Sequence, residues 1–174
     1  LHVMCISTAG VELWNRKVAT GNQTARVDEG NSASPSPITD GQHVWAMFGN
    51  GSLICFTIDG EEVWRRDLQQ DYGAFDIQFG MTSTPVMHEG TLYLQLIHGP
   101  WNREPSLGVL AALDAKSGEQ KWQVQRKTDA ISENKHSYAS PVIYDDGTYK
   151  YLVSHGADYV TGHDLATGAE VWRC

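Results

Sequence analysis

Short stretches in which apolar and polar residues alternate run along the whole chain, most of them closed by a glycine turn. Thr91-Leu92-Tyr93-Leu94-Gln95-Leu96 and Val109-Leu110-Ala111-Ala112-Leu113-Asp114 are the clearest. Runs of this length with a period near two predict β-strands, because successive side chains leave opposite faces of an extended chain. Asp40-Gly41, Glu89-Gly90 and Asp146-Gly147 read as tight hairpin turns, where glycine supplies the positive φ. In the middle of the chain four strands follow in order: Thr84–His88, Thr91–Leu96, Val109–Asp114, and a last one after Lys116-Ser117-Gly118 that carries Trp122. Helical periodicity is almost absent, so the pattern predicts antiparallel meanders.

The meander repeats. Trp14, Trp64, Trp122 and Trp172 recur roughly every 50 residues, each with glycine four positions earlier: Gly10, Gly60, Gly118 and Gly168. Trp45 with Gly41 shares that offset, so the pair alone is weak. A second landmark in the same register makes it strong: Ser36-Pro37-Ile38, Thr84-Pro85-Val86 and Ser140-Pro141-Val142. A lone four-stranded sheet cannot bury both faces, and stacking such sheets radially solves this, giving a β-propeller. The fold class is therefore all-β, a propeller segment of about three and a half four-stranded antiparallel blades. The segment 1–174 divides into a half blade at 1–18 and blades at 32–68, 82–126 and 138–174. Trp14, Trp64, Trp122 and Trp172 are expected between adjacent sheets, except where a neighbouring blade is missing. A ring needs more blades than this, so the chain reads as a fragment whose remaining blades are its first partners.

Charge and cysteine usage narrow the classes. With 21 acidic against 13 basic side chains the net charge is −8, and no basic patch exists to hold a phosphate backbone. No nucleic-acid partner is expected. No apolar run is long enough to span a bilayer. Cys5 and Cys55 occupy equivalent repeat positions, too far apart for a disulfide, and read as small buried hydrophobes. Cys174 has no visible mate. Asn22-Gln23-Thr24 and Asn50-Gly51-Ser52 match a glycosylation triplet that is common by chance.

Segments such as Ala112-Leu113-Asp114-Ala115-Lys116-Ser117-Gly118-Glu119-Gln120-Lys121-Trp122 and Asp164-Leu165-Ala166-Thr167-Gly168-Ala169-Glu170-Val171-Trp172 resemble the tryptophan-docking motif of pyrroloquinoline quinone (PQQ)-like repeat propellers. Phe75–Pro85 and His136–Pro141 look like a bacterial group of exported propellers of unassigned activity. The resemblance is similar in fold to the outer-membrane assembly lipoprotein and implies an eight-bladed ring in the periplasm or secreted. It implies either a non-catalytic binding or scaffold module, or a PQQ- and calcium-dependent alcohol or sugar dehydrogenase, or the sensor propeller of a bacterial protein kinase. Dehydrogenases of this kind carry vicinal cysteines and Glu, Asn and Asp calcium ligands, and neither pattern occurs here. The expectation is a scaffold with no catalytic residues, cofactor or metal in this segment.

One end of the blades collects the loops from strand four to the next strand one and from strand two to strand three. These are 65–80, 126–137, 98–107 and 155–158. They carry the ligand-face candidates His98, Trp101, Arg103, His136, His155 and Asp158, with Asp76, Asp129 and Glu133 nearby. Imidazole and carboxylate groups suit a small polar ligand, a metal or a protein partner at this face. Trp101 with Arg103 would make a stacking platform. The carboxylate pairs Glu61-Glu62 and Asp145-Asp146 read as a solvated strand face and a turn. Asp114 and Asp164 are placed to accept N–H bonds from their own turns.

Overall fold

The computed structural model describes residues 1–20, 30–101 and 107–174. Among the described residues fourteen strands form four antiparallel sheets, one a two-stranded hairpin and three four-stranded meanders. The first sheet holds β1 (His2–Ile6) and β2 (Glu12–Lys17). The second runs β3 (Ile38–Thr39), β4 (His43–Met47), β5 (Ser52–Thr57) and β6 (Glu62–Asp67). The third runs β7 (Val86–His88), β8 (Thr91–Leu96), β9 (Val109–Asp114) and β10 (Gln120–Gln125). The fourth runs β11 (Val142–Asp145), β12 (Lys150–Gly156), β13 (Tyr159–Asp164) and β14 (Glu170–Arg173). After β6 comes one turn of helix, α1 (Leu68–Tyr72), which the alternation did not predict because five residues are too few to show a helical period. Asp67 starts it by accepting the N–H groups of Gln69 and Gln70. A 3₁₀ turn at Ser132–Lys135 precedes the fourth sheet.

Adjacent sheets are joined by one recurring contact. The indole N–H of Trp14 donates to Ile58 O at 2.9 Å, that of Trp64 to Ala115 O at 3.0 Å, and that of Trp122 to Leu165 O at 2.9 Å. Each ring lies on the turn glycine of the next sheet. A Cβ on Gly60 would come within 2.6 Å of Trp14, one on Gly118 within 2.8 Å of Trp64, and one on Gly168 within 2.6 Å of Trp122. These turns also hold φ near +80°, so glycine is required twice over, for conformation and for space. Gly10 adopts the same φ, and a Cβ there would meet nothing within 4 Å, since among the described residues no ring is seated on it.

A second aromatic shares the accepting carbonyl. Trp45 on β4 donates to Ala115 O at 2.9 Å, and Tyr93 on β8 donates to Leu165 O at 3.3 Å. Trp45 takes the deep place and is almost wholly buried, which leaves Trp64 half-buried nearer the rim. Trp64 thus lies between adjacent sheets as expected, half-buried there rather than buried. Trp14 and Trp122 are buried, and Trp172, with no sheet beyond it among the described residues, is half-buried and folds over Gly162 of its own sheet. The residue paired with each tryptophan across the sheet is small: Cys5, Cys55, Ala112 and Gly162. All three cysteines are free, Cys55 buried, Cys5 half-buried and Cys174 exposed.

The carbonyl of the seat glycine is satisfied too. Arg16 and Arg66, each two residues after a tryptophan, reach Gly60 O and Gly118 O at 2.7 Å. The third unit has Val124 there, and Gly168 O instead accepts from His163 Nδ1 at 2.9 Å. Arg126 crosses the same junction fully buried, donating to Thr161 Oγ1 at 3.0 Å and Tyr159 O at 2.7 Å. The core lies between the sheets and is built from Leu53, Leu92, Leu94, Leu96 and Leu113 with their neighbours. No helix among the described residues is long and apolar enough to cross a membrane.

Candidate functional site

The β8–β9 connection and the segment leading into the fourth sheet meet at one end of the blades. Ser137 N–H donates to Ile97 O at 3.1 Å, Lys135 Nζ to Pro100 O at 2.9 Å, and His136 Nε2 to Gly99 O at 2.9 Å. A carbonyl only accepts, so His136 carries its proton on Nε2, and among the described residues its buried Nδ1 has no hydrogen-bond partner. Beneath them, Gln95 sends its amide to Ala139 O at 2.9 Å and His155 O at 3.1 Å, and Ser137 Oγ donates to the same His155 carbonyl at 2.6 Å. These bonds hold the entry to the fourth sheet against the β12–β13 hairpin.

His98 lies inside this arrangement, fully buried against Phe75 with ring centroids 5.3 Å apart. Its Nδ1 accepts the Asp76 N–H at 3.2 Å. Burial pushes its pKa down to about 4, against a smaller opposing pull from Asp76. Trp101 stands 55% exposed, its ring 6.3 Å from that of His136. Arg103 and the rest of 102–106 lie outside the described residues, as does Asn22-Gln23-Thr24.

His155 is not a loop residue. It sits in β12 opposite Val160, because Ala157 and Asp158 both adopt positive φ and close the hairpin in two residues. Strand geometry turns its exposed side chain toward an open groove of about 610 Å³ whose walls include Glu133, Asn134, His136, His155, Asp158 and Tyr159. Three of the six candidates, His136, His155 and Asp158, thus share one groove. His98, which is buried, and Trp101 are not among its walls. Tyr159 reaches Asp129 Oδ1 at 2.9 Å.

Gln95, Lys135 and the aromatic pair Trp45 and Tyr93 were missed by sequence reasoning. Gln95 and Lys135 carry no local signal, since both act on backbone far away in sequence. Trp45 and Tyr93 did carry one, standing at the same offset from the landmark prolines Pro37 and Pro85.

Among the described residues no three His, Cys, Asp or Glu side chains converge in a metal-binding group, and the three cysteines stand apart and free. The carboxylates of Asp114 and Asp164 are committed to their own turns, each accepting two backbone N–H bonds. The Ser117 N–H foremost at Asp114, and the Thr167 hydroxyl ahead of the backbone bonds at Asp164, hold both below the usual carboxylate range.

Comparison with known proteins gives a consistent picture. A family model described as outer membrane protein assembly factor BamB matches residues 2–93 and again residues 49–174. A quinohemoprotein alcohol dehydrogenase, ADH-IIG of Pseudomonas putida, is 27% identical over 164 residues, covering 84% of this chain and 20% of that protein. BamB from Moraxella catarrhalis superposes with a TM-score of 0.57 at 15% identity, covering 95% of this chain and 43% of that one. The quinohemoprotein alcohol dehydrogenase from Comamonas testosteroni superposes with a TM-score of 0.66 at 14% identity, covering 99% and 32%. The segment therefore spans less than half the length of each of these proteins.

Proposed function

Because the chain belongs to the PQQ-like repeat family described by the outer membrane protein assembly factor BamB, we propose that it is a non-catalytic binding or scaffold segment of an exported propeller. Its loop face would receive a protein partner or a small polar ligand. The observation that carries this reading is how two of the three loop-face histidines, His98 and His136, are used. A general acid or base needs a pKa near the working pH and a free path to its substrate. His98 is buried, bonded to the Asp76 N–H and held near pH 4, and the Nε2 proton of His136 is committed to Gly99 O. Both act as pins that shape the face. Trp14, Trp64 and Trp122 act as tryptophan-docking residues between blades, and Trp172 does so toward a further blade. The family's description supports export, as it names assembly of outer membrane proteins.

The quinohemoprotein relative favours a second reading, in which the full protein is a quinone-dependent alcohol dehydrogenase and this segment is part of its ring. The test is to add PQQ and calcium to the full-length protein, then follow quinone absorbance and dye-linked alcohol oxidation. No uptake and no oxidation is the expected result. Stoichiometric uptake with turnover would replace the scaffold reading.

A further inference from the structure

Two of the three occupied seat glycines are held by arginine and the third by histidine. Arg16 reaches Gly60 O and Arg66 reaches Gly118 O, whereas Gly168 O, on the turn under the Trp122 ring, accepts from His163 Nδ1. Arginine stays protonated, while histidine gains a proton as the solution turns mildly acidic. The exchange is part of a wider one. Where the second and third sheets meet, the chain has Leu68, Ala111 and Leu113; where the third and fourth meet, it has Arg126, Thr161 and His163. Leu68 and Arg126 each stand four residues after a docking tryptophan. The other two pairs flank Ala112 and Gly162, the small partners of Trp122 and Trp172. All three polar side chains are at most 2% exposed.

The bonds fix where the protons lie. Gly168 O can only accept, so His163 carries its proton on Nδ1 and leaves Nε2 bare. Arg126 can only donate, so Thr161 Oγ1 accepts from Arg126 Nε at 3.0 Å and turns its own proton to His163 Nε2 at 2.9 Å. The chain Arg126, Thr161, His163, Gly168 thus ties the residue after β10 to the turn on which Trp122 sits. A second proton on the ring makes Nε2 a donor facing Thr161, whose other acceptor, Ser154 O, is 3.5 Å away. It also sets an imidazolium in the same buried junction as the Arg126 guanidinium, which is bonded to a hydroxyl and a carbonyl and has its Nη1 unpartnered. Glu170 and Arg173 on β14 act on the ring as well, and Glu170 is held by Arg173 through two bonds of 2.7 Å. Burial foremost, aided by the two arginines, keeps the His163 pKa below the ordinary histidine value against the pull of Gly168 O and Glu170.

We propose that His163 is an acid-sensitive latch between the third and fourth sheets: a proton taken up at Nε2 breaks its link to Arg126 and loosens Trp122 on its seat, while the two arginine-held junctions stay closed. Both sheets that form this junction have all four strands. The sign follows from the buried neutral ring. Its contribution is complete above the unfolded histidine pKa and is lost as pH falls through the lower folded one. The latch goes beyond the binding-module reading and does not rest on it.

The test uses the full-length protein labelled with ¹⁵N-histidine and 5-fluorotryptophan, the indole signals being assigned by single replacements with phenylalanine. At pH 7 His163 should show a protonated Nδ1 and a bare Nε2. As pH falls toward 4, the Trp122 signal should shift with the midpoint of His163, below 6.5, while those of Trp14 and Trp64 hold. The separate ring signals of His98 keep its own titration near pH 4 apart. His163→Leu, which copies Leu113, should remove the Trp122 shift. Arg126→Leu, which copies Leu68, should raise the His163 midpoint, since it takes away a facing cation, and this arm decides the matter if His163→Leu does not fold. A proton on Nε2 at pH 7 would overturn the proposal, as would a His163 that does not titrate before the protein unfolds. So would a Trp122 signal that ignores the His163 titration or still shifts without His163, joint movement of all three indoles, or a midpoint unmoved by Arg126→Leu.

Discussion

Each glycine that seats an indole carries two separable costs of substitution. Alanine at Gly118 or Gly168 must adopt a positive φ and must also push its Cβ into a ring 2.8 or 2.6 Å away. Alanine at Gly10 meets the same φ but open space. The backbone term is roughly 1 kcal/mol. The displaced ring adds roughly 1–3 kcal/mol, as overpacking does elsewhere. Urea unfolding should therefore show Gly118→Ala and Gly168→Ala clearly less stable than Gly10→Ala, and equal losses at all three would remove the seat. Trp122→Ala should cost roughly 3–5 kcal/mol, since it empties a packed site and leaves Leu165 O with the single bond from Tyr93. His98 gives a pH signature. Its folded pKa of about 4 lies below the unfolded 6.5, so the unfolded chain binds the proton first as pH falls. Its contribution is complete above pH 6.5 and declines toward pH 4, by about 3 kcal/mol in all. His98→Asn keeps an acceptor for the Asp76 N–H and should flatten that decline in unfolding curves taken between pH 7 and 4.

At the scale of strands and turns, the chain's pattern is close to the structure where the information is local. Thr91–Leu96 and Val109–Asp114 form strands with those same ends, because apolar alternation and the turns on either side act within a few residues. Asp114 and Asp164 bind their own turns for the same reason. What the pattern hides is long-range. That Gly118 seats Trp64, or that Ala115 O accepts from both Trp45 and Trp64, depends on two sheets meeting. His155 was misplaced because Ala157 and Asp158 lack the usual glycine of a two-residue turn, so the strand runs further than composition suggests. The groove is half legible in the same sense. Repeat logic brings His136, His155 and Asp158 to one end, whereas the burial of His98 follows only from packing. The β7–β8 hairpin offers a direct check on turn chemistry. Glu89 and Gly90 both hold positive φ, and Glu89 is exposed with only distant ionic contacts, 3.5 Å to His88 and 3.7 Å to Lys150. Such surface pairs contribute little. Glu89→Asn creates the favoured Asn-Gly turn and should stabilise the fold by roughly 0.5–1 kcal/mol in urea unfolding.

Over the whole segment the two end faces differ and match. One end exposes Met4, Ile6 and Leu13 together with the empty seat at Gly10. The other exposes Val142 and Tyr144 beside the half-buried ring of Trp172. Inside the chain, that pairing of an indole face with a glycine turn joins every neighbouring pair of sheets. The 174-residue segment on its own should therefore associate head to tail, through unlike surfaces rather than a two-fold contact. The geometry of such contacts decides the outcome. A heterologous interface blocked on one side alone can no longer propagate, but it still presents its other side. Leu13→Lys should abolish growth of the segment in sedimentation velocity, and so should Tyr144→Lys, each protein running as a monomer. Mixing the two variants should yield a heterodimer and nothing larger, because one intact Trp172 face then meets one intact Gly10 face. A two-fold contact would behave otherwise: a variant outside its single patch would still dimerise alone, and mixing would create no new species. Association that persists in both single variants would show that exposed strand edges, not the indole seats, drive it.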